Sequence, residues 1–110
     1  MTPLEIVVSH PENFPPWFHE YLQENLRVYT TMEKMIMQLP VRHNHYGIDM
    51  IAGAVRWHSA VHEAGTEFKI SNNATPYFAR VFHFQHPNRR IFRMKLTRHE
   101  FKHGVETPPI

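Results

Sequence analysis

A chain of 110 residues with no cysteine, 42% of it hydrophobic and 13% aromatic, is long enough for one ordinary core and excludes disulfides, thiolate metal sites and a cysteine nucleophile. The net charge of +2 conceals a split: residues 1–65 carry four Lys/Arg against seven Asp/Glu, and residues 66–110 carry eight against three, so the halves stand at −3 and +5. No apolar run approaches the ~20 residues that cross a bilayer, and the opening MTPLEIVVSH lacks the basic start and long apolar stretch of an export signal, so a soluble cytoplasmic protein with no membrane partner is expected.

Residues 1–13 contain the β-branched run Ile6-Val7-Val8 followed by the turn chemistry of His10-Pro11-Glu12-Asn13, which predicts an N-terminal arm or short strand. Asn13 and Pro15-Pro16 mark a helix start. From Trp17 the residues Phe18, Leu22, Asn25, Tyr29, Met32, Ile36 and Leu39 recur at helical spacing, predicting one helix of about six turns that Pro40 ends. VRHNHYG over 41–47 has no period and reads as a loop. A second helix is predicted over Ile48 to Glu63, with Met50, Ile51, Ala54, Val55, Trp57, His58 and Val61 on the broad inner side and Asp49, Arg56 and Glu63 pointing away; Gly65 stands at the C-cap.

Phe68 and Ile70 flank Lys69 in the alternation of a half-buried strand, and Ser71-Asn72-Asn73 supplies a turn. Thr75-Pro76 then reads as N-cap and first helical residue of a third helix reaching about His86. Phe78, Val81, Phe82 and Gln85 line one of its sides, Tyr77, Arg80 and Phe84 another, and His83 falls on the outer surface. After the stop at Pro87-Asn88, the residues Phe92, Met94 and Leu96 alternate with Arg93, Lys95 and Thr97, which predicts a strand with an apolar inside and a cationic outside. Residues 98–110 read as a flexible polar tail. The predicted fold is a single α+β domain over residues 1–110, with three helices packed on a short antiparallel sheet. This order is similar to a winged helix, although a strand and turn separate the second and third helices where a short turn would be usual.

Arg56-Trp57-His58, Phe68-Lys69-Ile70-Ser71-Asn72-Asn73 and Pro76-Tyr77-Phe78-Ala79-Arg80 together resemble a group of small uncharacterised phage and prophage proteins. Their shared pattern is a Trp-His pair, then Phe-Lys-Ile-Asn-Asn-Asn, then a Tyr-rich helix. Ser71 replaces the first Asn of the triplet here. The resemblance covers the stretch from near His45 to Phe92 and implies a phage-related origin, with the cytoplasm of a bacterial host or infected cell as its setting. It implies no particular activity.

The leading functional expectation is a nonenzymatic nucleic-acid-binding module. Its face consists of Lys69, Tyr77, Arg80, His83, Arg89, Arg90, Arg93, Lys95 and Arg98, with Lys102 beyond, because Lys and Arg gain affinity for phosphates by releasing condensed counterions. Tyr77, Phe84 and His83 add rings for stacking on splayed bases. DNA is expected ahead of RNA. The alternative is a protein-interaction module, such as a phage inhibitor or adaptor that covers an acidic surface of a host protein. A third reading is a His-dependent metalloprotein: His58 and His62 share a helix face, with His43, His45 and Glu63 as further donors, although this spacing fixes only two ligands. No cofactor is predicted. The chain has no glycine-rich phosphate loop or nucleophile elbow, and Asp49 is its one aspartate, so catalysis by clustered carboxylates is poorly supplied.

Overall fold

The chain begins with a helix. In the computed structural model, which describes residues 1–62 and 70–93, α1 spans Pro3–Ser9. Thr2 and Glu5 form a reciprocal cap: the Glu5 N–H donates to Thr2 Oγ1 at 3.2 Å and the Thr2 N–H donates to Glu5 Oε1 at 2.8 Å, with Pro3 in the first turn. Those bonds to Thr2 hold the Glu5 carboxyl below its ordinary pKa. The β-branched run therefore winds into a helix and not the predicted strand, with Ile6 and Val7 both buried as α1 packs against α2 and α5.

A short 3-10 turn over Pro11–Asn13 leads to α2, Phe18–Glu24, and α3, Leu26–Ile36. The single six-turn helix predicted here is interrupted at Asn25, whose backbone leaves the helical region at φ −124° and ψ 27°. Asn25 Nδ2 donates to Tyr21 O at 2.8 Å and its own N–H donates to Leu22 O. A side chain that competes for backbone acceptors ends one helix and opens the next without disturbing the apolar stripe.

α4 spans Ile48–His62 and α5 spans Thr75–Gln85, close to the predicted bounds. Thr75 is the first residue of α5 and not its N-cap; its Oγ1 lies 3.0 Å from Asn72 O and 3.1 Å from Asp49 Oδ1, tying the start of α5 to the start of α4. Residues 75 and 77–83 of α5 are all buried, among them Tyr77, Phe78, Val81, Phe82 and His83, so this helix runs through the interior with α1 and α4 packed against it. The Phe18 ring lies tilted 5.5 Å from Tyr77 and edge-on 5.6 Å from Phe78, and Tyr29 reaches Phe78 from α3 at 6.2 Å.

The α+β, winged-helix-like prediction is corrected by this arrangement. The described residues form five α-helices with no strand and no sheet. Their only sheet-like pairing is an isolated parallel bridge between Tyr46 and Phe92. The predicted strand around Lys69 and the outer part of the strand from Phe92 to Thr97 lie outside the described residues, as does the tail over 98–110. Ile70 and Arg93, the two ends that are described, are in neither a helix nor a strand.

Candidate nucleic-acid interface

Two segments distant in sequence lie side by side at the end of α5. The N–H of Asn44 donates to Arg90 O at 3.1 Å, those of His45 and Tyr46 donate to Ile91 O at 2.9 and 2.8 Å, and the Arg93 N–H donates to Tyr46 O at 2.9 Å. Asn44 turns the first segment with φ 51°, a left-handed conformation that asparagine tolerates. Ile91 and Phe92 are buried beneath, anchoring the second segment to the core, and Arg89 Nη1 donates to Leu39 O at 3.2 Å.

This pairing carries Arg42, His43, His45, Arg90 and Arg93 on one small platform, all exposed. Arg42, Arg90 and Arg93 have no side-chain hydrogen bond or ion pair among the described residues. A half-buried pair joins the end of α5 to α3: His86 Nε2 lies 2.6 Å from Glu33 Oε2. Arg93 lies over Gly47, its Nη2 within 3.2 Å of where a Cβ would stand.

The other predicted contact residues divide sharply. Tyr77 is a core residue between Phe14, Trp17 and Phe18. Arg80 is only 8% exposed; its Nη1 donates to Asn13 O at 3.0 Å and its guanidinium stands 5.5 Å from the Tyr77 ring centre, so it closes the N-terminal turn onto α5. Arg80 thus shares no surface with Arg90 and Arg93. Phe84 stacks on His10 at 4.1 Å. Lys69, Lys95, Arg98 and Lys102 lie outside the described residues.

His83, placed on the outer surface by its sequence spacing, is inside. Its Nε2 accepts the Phe92 N–H at 3.2 Å, which puts the ring proton on Nδ1, a buried atom with no hydrogen-bond partner. Burial, reinforced by Arg90 and His43, lowers its pKa to about 4. His83 is therefore a neutral support under the platform, not a contact residue. Arg42, which the predicted face did not include, belongs to the platform; only the backbone pairing across some 45 residues of sequence brings it there, and no local pattern announces that.

Among the described residues the predicted metal donors do not converge. No group of three or more His, Cys, Asp or Glu residues among those described could hold an ion. His43 and His45 are exposed on the platform and His58 is exposed on α4, while the side chains of His62 and Glu63 lie outside the described residues. No described helix is long and apolar enough to cross a membrane. Compared with known proteins, the chain matches no family model, no curated protein and no solved structure.

Proposed function

We propose that this chain is a nonenzymatic nucleic-acid-binding module that contacts phosphates through the platform formed by residues 42–46 and 89–93. The observation that carries the reading is the set of three exposed guanidinium groups, Arg42, Arg90 and Arg93, without carboxylate partners among the described residues, on a backbone fixed by four hydrogen bonds. Fixing the backbone matters because a preformed array loses less conformational freedom on binding. With Tyr77 in the core and Phe84 stacked on His10, base stacking has little support, so backbone contact with duplex DNA is favoured over capture of single strands. The phage or prophage origin implied by the Trp57-His58 and Phe68-to-Asn73 resemblance belongs to this proposal as well.

Fluorescence anisotropy with labelled duplex DNA and single-stranded RNA, titrated at several salt concentrations, tests it. Three phosphate contacts correspond to a slope of about −3 in log K against log salt. Combining Arg90→Glu with Arg93→Glu is expected to weaken binding at least tenfold while leaving the circular dichroism unchanged. Absence of binding at low salt, or binding indifferent to both substitutions, overturns the reading.

A further inference from the structure

The outer side of α4 is apolar where a solvated helix is ordinarily polar. Ile51, Ala52 and Val55 are buried on the inner side, and Asp49, Met50, Gly53, Ala54, Trp57 and His58 form the outer one. Met50 and Trp57 stand on its midline, two turns apart and 54% and 67% exposed, with Gly53 and Ala54 between them. The sequence pattern had put both large residues inside. Isolated exposed apolar side chains are ordinary, but two large ones in line with small residues between them form a shape that a second helix can fill.

Gly53 is a separate observation. A Cβ built on it meets nothing within 4 Å, so no described contact inside the chain calls for glycine there, and glycine weakens a helix interior relative to alanine. Close approach of another backbone from outside does call for it.

We infer that this side of α4 binds a second copy of the chain, the two α4 helices crossing antiparallel about a two-fold axis near Gly53 and Ala54. The occupant follows from the symmetry of the face itself. An antiparallel two-fold sets Met50 of one copy beside Trp57 of the other and brings the small residues together at the crossing, so the surface is complementary to itself. Its charges agree with that operation. Asp49 and Arg56 lie seven residues apart along one edge, and the two-fold brings the acid of each copy alongside the base of the other, with Arg56 keeping its bonds to Ile70 O and Asn72 Oδ1. A two-turn contact is small beside the ~800 Å² per partner of a standard interface, so the dimer is weak and depends on concentration.

The test uses the full chain freed of nucleic acid, which keeps it independent of the proposed function. Sedimentation equilibrium is expected to show the mass rising from the 13.1 kDa monomer toward twice that value as concentration increases. Trp57 emission shifts to the blue in parallel, over a constant background from Trp17. Gly53→Leu and Trp57→Ala each weaken association at least tenfold, with far-UV circular dichroism separating lost association from lost fold. Because the chain has no cysteine, Ala54→Cys offers a unique thiol that forms a disulfide dimer under mild oxidation, whereas Glu20→Cys, exposed on α2, does not. A chain that stays monomeric throughout, with Ala54→Cys cross-linking no faster than Glu20→Cys, overturns the inference. So does a dimer that folded Gly53→Leu and Trp57→Ala leave intact.

Discussion

His83 is a basic residue that the fold keeps uncharged beneath a basic surface. Its ring lies 5.7 Å from that of Phe92 and accepts that residue's N–H, so protonation would place a charge in the core and remove an acceptor in one step. The unfolded chain takes up this proton near the ordinary value of 6.5, the folded chain only near 4. The stability linked to His83 is therefore complete above pH 6.5 and is lost as the pH falls from there through 4. The loss is expected to be roughly 2 kcal/mol once screening near the surface is allowed for. Urea unfolding of the wild type across that range should show it, and His83→Gln, which retains an acceptor but no titration, should flatten the profile. An equal pH dependence in both proteins would remove His83 as the cause.

Each helix shows which local signals prevailed. At α1 the Thr2-Pro3-x-Glu5 cap outweighed the strand preference of Ile6-Val7-Val8, and a reading that gave the capping box priority would have found the helix. Thr2→Ala is accordingly expected to cost about 1 kcal/mol in thermal or chemical unfolding. The bounds of α4 and α5 were legible because both are long segments bounded by turn residues. Their faces were less legible: α5 is buried on nearly every side, so no polar stripe marks an outside, and α4 exposes two of its largest apolar residues. Gly53→Ala, at an exposed helical position with open space around it, is expected to stabilise the dilute protein by about 0.5–1 kcal/mol, read as a raised urea midpoint with an unchanged slope.

At the scale of the whole molecule, the described cations of the basic half do not gather on one basic face. Arg80 is drawn inward to hold Asn13, while Arg90 and Arg93 join Arg42 from the acidic half of the sequence. Charge counted along the chain cannot reveal this, because the join depends on backbone pairing between segments that flank α4 and α5. Replacing Arg42 with Ala is thus expected to lower the salt slope of DNA binding by about one, as much as replacing Arg90, whereas Arg80→Met should alter stability with little effect on that slope. Measured slopes for the three variants distinguish a platform drawn from both halves from a face confined to the C-terminal half.

The central position of α5 also governs when this protein can become itself. Helix α1 packs on it, Arg80 reaches back to Asn13, Gln85 accepts from the Tyr29 hydroxyl, and His86 meets Glu33, so the earlier of the described helices are completed by the last of them. During synthesis α1 and α4 emerge before the helix that both pack against and wait for residues 75–86. A nascent chain halted before Thr75 can form the α1–α2 and α3–α4 contacts but lacks the helix that fills the interior, and the arrival of that one helix closes the core.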